Sequence, residues 1–443
     1  MKSLYFIALF CFAFYGIQAQ QAFSLDEAVQ YALQNSNQIR LAQLDAIDAE
    51  AQIQEVRTAG IPKISGKIDY LYNAIILQQL VPAEFAGGNP GEFVALAFGV
   101  NNNLTGSVNL NTVLFDPTVF IGIKAARVYR ELVKEQSGQT EFELKYNVKK
   151  AYLAALIAEK NKEILLDNIS SVEKTLKETS AIYEEGFAEK LDVDRIQLSL
   201  QNLQTQVENV NQLIRLSYNV LKFQMGYPMD GEISLRDNID LLVGNTLVDD
   251  TKLLDMDFDI ANRPEYNVIK AGEALNVKNI EATKASNYPS LYGFATYQRS
   301  LQGNNFFDKE QRTWLEGAFA GLTLNVPIFN GFTTKYQIQQ AEVDLQKTQL
   351  QLNDFNRAAT LEYQNAMVSY SNAKRTVRFN QRNLDLAEKI YNTTQIKYRE
   401  GVGSSLEVTQ AENDLYMAQG SYVTSLYDLL VAKTDLEKAL GMN

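Results

Sequence analysis

YEEGFAEKLDVDRIQLSL, residues 183–200, and YREGVGSSLEVTQAENDL, residues 398–415, are two versions of one pattern. A tyrosine is followed three residues later by glycine, then by a short polar turn and an amphipathic run. Tyr183 and Tyr398, Gly186 and Gly401, and Gly226 and Gly441 each stand 215 positions apart. The correspondence extends upstream: VNLNTVLFDP (108–117) matches LTLNVPIFNG (322–331), with Phe115 and Phe329 214 apart. Agreement to one residue over more than a hundred positions is an internal duplication.

Between the matched ends lie two long stretches without proline, from Asp116-Pro117 to Tyr183 and from Phe332 to Tyr398. Proline at 117 suits a first helical turn. At 1.5 Å per residue each predicted helix is about 100 Å long. Leu144, Val148, Ala151, Ala155, Ala158, Lys162, Leu165, Ile169, Val172, Leu176, Thr179 and Tyr183 recur in steps of four and three. So do Ala359, Tyr363, Ala366, Tyr370, Ala373, Val377, Asn380, Leu384, Ala387, Tyr391, Thr394 and Tyr398. Both are coiled-coil seams. A second helix follows each glycine turn, the first keeping the same steps through Leu200, Leu203, Val207, Val210, Ile214, Ser217 and Leu221. The short turns make each helix pair antiparallel.

Upstream of each long helix the period changes from 3.6 to 2. Ile64, Gly66, Ile68, Tyr70 and Tyr72 alternate with Lys63, Ser65, Lys67 and Asp69. Gly106, Val108 and Leu110 alternate with Thr105, Ser107, Asn109 and Asn111. In the second half, 288–298 and 318–328 are strand-like, the latter with Ala318, Ala320, Leu322, Leu324 and Val326 on one face. Tyr292 and Phe294 fall on the face that should be polar. Runs near ten residues fit tilted membrane-spanning strands, and a soluble sheet half-covered by a helix has the same period. Residues 73–103 are expected as a loop, 23–59 as one helix opened by the Ser24/Glu27 capping box, and 262–286 as another.

The organisation is therefore a leader at 1–19, a first repeat at 20–228, an acidic segment at 229–261 and a second repeat at 262–443. Lys2, the apolar run Leu4–Tyr15 and Ala19 read as a secretory signal. Phe10 stands where a lipid-anchoring Cys11 wants a small residue, so lipidation is not expected. The fold class is mainly α with four strands: long antiparallel coiled-coil helices beside a β contribution.

Composition narrows the chemistry. The chain has 443 residues and a formal charge of −12 with no basic run, which excludes nucleic acid as a partner. With no histidine, and its one cysteine in the leader, it lacks zinc sites and Ser-His or Cys-His nucleophiles. No phosphate-binding glycine loop with lysine is present. No enzyme and no cofactor are expected, and rods with seams promise no concave pocket. Four strands cannot close a membrane barrel, for which eight is about the minimum. Membrane strands would therefore require several copies, and three would give twelve strands. A periplasmic coiled-coil scaffold or adaptor without a channel is the competing reading.

The duplication, the strand ends VNLNTVLFDP and LTLNVPIFNG, and the turns YEEGFAEKLDV and YREGVGSSLEV make the mature chain resemble the TolC family of outer-membrane efflux channels. The resemblance implies a homotrimer with a shared twelve-stranded transmembrane β-barrel and an α-helical barrel in the periplasm. It implies a passive duct of a tripartite pump, partnered by a periplasmic adaptor and an inner-membrane transporter. By the same resemblance Gly186, Leu191, Asp192, Val193, Gly401, Leu406, Glu407 and Val408 form the adaptor-docking tips. Tyr398, Asp192 and Glu407 are the expected periplasmic gate. The family gate uses a tyrosine, an arginine and two acids. On the Tyr-x-x-Gly spacing this chain offers Tyr398, Gly403, Glu407 and Gln410, so the arginine and one acid are missing, with Arg195 and Arg399 as candidate substitutes. Capping alone is the bland role for Asp192 and Glu407. The acidic composition predicts a cation-favouring tunnel.

Overall fold

The computed structural model describes residues 21–248, 253 and 256–442. The expected leader, with Cys11, lies outside the described residues. In chain order the elements are β1 (Gln21–Phe23), α1 (Leu25–Asn35), α2 (Asn37–Thr58), β2 (Lys63–Tyr72), β3 (Gln78–Pro82), β4 (Phe93–Ala97), β5 (Asn102–Phe115), α3 (Pro117–Glu184) and α4 (Lys190–Met225). The second half continues with β6 (Ile233–Leu235), α5 (Ile239–Val248), α6 (Pro264–Ala285), β7 (Ser290–Gly303), β8 (Arg312–Asn325), α7 (Thr333–Arg399) and α8 (Ser405–Ala439). The long helices have 68 and 67 residues, as the proline-free stretches require. The residues described form two compact units, one from 21–46, 132–270 and 349–442, the other from 47–131 and 271–348.

In the first unit the seams pack as the periodicity demands. Leu165, Val172, Ile196, Leu200 and Leu203 form one buried cluster, with Ile169, Leu176, Val207 and Val210 against it. Tyr391, Val408, Ala411 and Leu415 form its counterpart, with Leu384, Ala387 and Tyr398 alongside. The largest cluster joins Leu144, Val148, Tyr152, Leu221, Tyr370 and Leu429. The acidic segment belongs to it. β6 pairs in parallel with β1, and Ile233, Ile239 and Val243 are buried there. Tyr152 pins this arrangement, donating to Phe23 O and Asp237 Oδ2, both at 2.9 Å. Burial and then the Asp237 carboxylate push the Tyr152 phenol up.

Two expectations need correction. The helix expected at 23–59 is broken at Ser36, whose ψ of 135° is extended. The cause is a neighbour. Gly226 caps α4 with φ 69°, and a Cβ there would sit 2.8 Å from both Asn35 O and Ser36 Cα. Gly441 meets Asn262 in the same way at 2.5 Å, just before α6 begins. The duplicated glycines thus let the end of one helix touch the start of another in both halves. The second correction concerns 73–103. It contains an antiparallel hairpin, β3 with β4, closed by a 3₁₀ turn at Ala83–Ala86.

In the second unit β2, β5, β7 and β8 form one antiparallel sheet in that order. β5 runs through Asp116 directly into α3. Asp116 Oδ1 accepts the Thr118 N–H at 2.9 Å, capping that helix. Tyr292, awkward on a polar face, donates from its hydroxyl to Asp116 Oδ2 at 2.8 Å.

Candidate functional site

The registers place the four strands' alternations in phase. Ile68 faces Gly106, Gly106 faces Arg299, and Arg299 faces Glu316. Ile64, Leu110, Ala295 and Ala320 likewise form one row. Residues directly opposite in antiparallel strands share a face. One face is therefore apolar over most of its height. Its charged pair, Arg299 with Glu316 at 3.2 Å, lies toward the end remote from the long helices, where Arg299 also stacks on Trp314. The other face is polar and internally bonded. Thr105 donates to Ser300 (3.1 Å), Ser300 to Asn103 (2.7 Å) and Thr296 to Asn109 (2.9 Å). Phe294 interrupts it, its ring close to Gly321, where a Cβ would meet it at 2.7 Å, and Phe319, Leu315 and Leu71 share that face opposite Thr296, Ser300 and Asn103.

Among the described residues the apolar face stands open at Ile68, 80 % exposed, and Leu322, 70 %. Among the described residues the outer edges of β2 and β8 carry no strand. Tyr70, Tyr72 and Trp314 mark one end of the apolar face; at the other, Phe115 ends β5, and Phe329 and Phe332, with ring centroids 5.3 Å apart, follow β8. Aromatic girdles at both ends of an apolar band are the pattern of a lipid-facing strand wall.

The two glycine turns are built alike. Gly186 (φ 84°) and Gly401 (φ 72°) occupy the left-handed region that ends each long helix. Phe187 N–H then reaches Ile182 O at 2.9 Å, and Val402 N–H reaches Lys397 O at 3.0 Å. Of the expected docking residues, Gly186, Gly401, Leu191, Leu406 and Glu407 are exposed, while Asp192 and Val193 are half-buried. Val408 is 1 % exposed against Tyr391 and Leu415, so it shapes the tip from within. Phe187 (84 % exposed) and Val402 (76 %) are the most exposed apolar side chains of the turns, and the sequence reading passed over them. Their signal was available: they too are 215 apart, each following a matched glycine.

Tyr398, Asp192 and Glu407 are not brought together. Tyr398 donates to Thr179 Oγ1 at 3.2 Å. Asp192 accepts from Ser405 and from Glu189 N–H (3.1 Å), with Arg195 at 3.9 Å. Glu407 stands in the first turn of α8, where Ser404 is the cap: its Oγ accepts the Glu407 N–H at 3.3 Å. Gly403, where the family pattern has arginine, is tightly turned; a Cβ would lie 3.1 Å from Tyr398 N.

Two polar ladders join the helix pairs instead. Between α3 and α7, Ser171 bonds Tyr391 (3.1 Å), Gln395 donates to Thr175 (3.2 Å), Tyr398 donates to Thr179, and Arg399 donates to Glu178 (2.9 Å). Between α4 and α8, Ser405 bonds Asp192, Ser199 donates to Glu412 (2.9 Å), and Tyr416 bonds Gln206. Burial raises the Glu412 carboxyl above its usual range, and the Ser199 hydroxyl offsets this in part. The second ladder lines a groove of about 730 Å³, correcting the expectation of no concavity. Glu412 is its sole carboxylate. Glycoside hydrolysis uses a pair.

Among the described residues no helix is long and apolar enough to cross a membrane, and no cluster of His, Cys, Asp and Glu could hold a metal ion. The family profile for outer membrane efflux proteins matches residues 28–226 and 260–442. This chain belongs to the outer membrane efflux protein family. A similar curated protein is the probable efflux pump outer membrane protein TtgC of Pseudomonas putida, 23 % identical over 432 residues, covering 94 % of this chain and 83 % of TtgC. The outer membrane protein TolC of Vibrio cholerae is 20 % identical over 343 residues, covering 76 % of each chain. Among solved structures, CusC aligns with a TM-score of 0.72 at 16 % identity, over 95 % of this chain and 92 % of that one. VceC of Vibrio cholerae aligns at 0.69 and 17 % identity, over 95 % and 96 %. As an outer membrane efflux protein the chain is a transport channel of the outer membrane, with its helical part in the periplasm. That decides the strand reading against the soluble-scaffold alternative.

Proposed function

We propose that three copies of this chain close a twelve-stranded barrel and form the passive exit duct of a tripartite pump. One observation carries the reading: a four-stranded sheet with one apolar face, one polar face and two unpaired edges. Unpaired edges are not tolerated in lipid, and the family fold supplies the means of pairing β8 of one copy with β2 of the next. The bonded Thr, Ser and Asn face then lines a watery lumen. The tips dock a periplasmic adaptor through Phe187, Val402, Leu191 and Leu406, exposed apolar groups that repeat in both halves. The adaptor links the duct to an inner-membrane transporter, which supplies the energy.

The gate is a latch made of the two ladders. Tyr398 and Asp192 each act in one ladder, and Arg399 takes a charged role that Gly403 cannot. Glu407 is a first-turn acid of α8, behind its cap Ser404. Parting α3 from α7 and α4 from α8 exchanges these bonds for water, which costs little per bond. The decisive measurement is native mass in mild detergent, followed by conductance in a planar bilayer. Three times the mature chain with a conducting pore is expected; a monomer removes the duct. Leu191→Asp with Leu406→Asp should leave the trimer and its conductance intact and abolish efflux in cells. Unchanged efflux would clear the tips of any docking role.

A further inference from the structure

The β3–β4 hairpin stands past the aromatic girdle at Tyr70 and Tyr72, on the side of the sheet away from the long helices. It is built, not loose. Asn73 N–H donates to Asn101 O (2.7 Å), Asn101 Nδ2 to Asn73 O (2.9 Å) and Asn73 Nδ2 to Val100 O (2.9 Å), clamping its base. Its tip is fixed by Gly88 N–H on Ala83 O (2.7 Å) and Ala83 N–H on Glu92 O (2.8 Å). Yet its side chains are apolar and uncovered. Ile75 is 91 % exposed and Phe85 83 %, with Leu77, Leu80, Phe93 and Phe98 all well over half exposed. An isolated two-stranded hairpin is marginal in water, and a patch of this kind marks a contact surface.

We propose that this hairpin is an intersubunit clasp on the outer side of the membrane, its apolar face seated on the next copy of this chain. The proposal rests on the trimeric reading. Position is the first support: the hairpin grows out of β2, the strand whose free edge meets the neighbour, so it continues the barrel seam above the bilayer. Charge is the second. Between residues 73 and 101 there is no lysine or arginine, and Glu84 and Glu92 are the sole charges. Headgroup recognition by electrostatics uses lysine and arginine, and this segment has neither. The girdle at Tyr70 and Tyr72 already marks where the hydrocarbon ends, so these side chains lie above it. Another copy of the chain meets both conditions.

A benzophenone side chain placed at Phe85, and separately at Leu80, tests this in outer membranes of intact cells. Irradiation is expected to give covalent dimers and trimers of the chain on denaturing gels from both sites. Adducts to lipid, adducts within one chain, or no adduct in a sample whose native mass is trimeric would each overturn the clasp while leaving the trimer intact. A monomeric mass would overturn the trimer and the clasp with it. A second measurement guards against misfolding: Leu80→Asp with Phe93→Asp should lower the temperature at which the trimer dissociates and leave its conductance unchanged. An unaltered dissociation temperature would also overturn the clasp.

Discussion

Tyr398 is the residue on which the latch can be tested most directly. Its hydroxyl donates one neutral hydrogen bond to Thr179, worth about 0.5–1.5 kcal/mol net. Tyr398→Phe should raise the leak of the closed channel up to about tenfold without changing the conductance of the open one, as single-channel recording would show. Glu412 gives a pH signature. Burial raises its pKa in the folded tip, so the folded form binds the proton more tightly than the unfolded one. The closed tip is thus favoured while Glu412 is protonated and loses that contribution as pH rises through the ordinary carboxylate range to the raised value. Arg195 lines the same groove but is engaged with Asp192. Glu412→Gln should flatten this dependence, measured as leak conductance between about pH 4 and 7. A wild-type leak that falls with rising pH would contradict the sign. Neither residue's partner could be read in advance. Tyr398 stood out by its motif, whereas Thr179 and Ser199 are ordinary seam-side residues, and only the packing of helices more than two hundred positions apart selects them.

At the scale of elements, periodicity carried nearly everything that depends on one helix at a time. The seams through Leu165, Val172 and Leu200, and through Tyr391 and Ala387, pack as four-three spacing requires, because each side chain's direction follows from helix geometry. The hairpin at 73–101 escaped for a physical reason. Its strands are five residues each, too short for alternation to stand out, and Pro82 sits at a strand end, where a proline usually signals a loop. The break at Ser36 escaped because its cause, Gly226, is remote in sequence. The ladder between α3 and α7 yields a prediction at this scale. Arg399 and Glu178 are each over a third exposed, so their attraction is screened. A double-mutant cycle on Arg399→Ala and Glu178→Ala, read by thermal dissociation of the tip, should give a coupling below about 1 kcal/mol. A larger value would mean that the pair is shielded from water in the assembly. The ladder is then held by several weak neutral bonds, which suits a seam that must part.

For the whole molecule, the two faces of the sheet make opposite demands. Ile68 lies mid-strand in β2 on the apolar face, beside Gly106 of β5. Ile68→Arg should cost about 2–4 kcal/mol in the bilayer and deplete assembled trimer from outer-membrane fractions. Ser107→Arg, one position along on the polar face, should assemble normally and shift the channel's ion preference toward anions, measured by reversal potential. Equal loss of trimer from both variants would mean that the lumen is as dry as the outside.

The unpaired edges of β2 and β8 also set the genetics of this chain. In the proposed trimer every barrel wall is shared, so no copy would own a complete pore, and a copy with a ruined edge would take its neighbours with it. In a cell making sound and edge-damaged chains in equal amount, random mixing leaves only about one assembly in eight free of a bad copy. Edge lesions should therefore behave as dominant alleles. Lesions that destroy the chain before it reaches the membrane should behave as recessive ones.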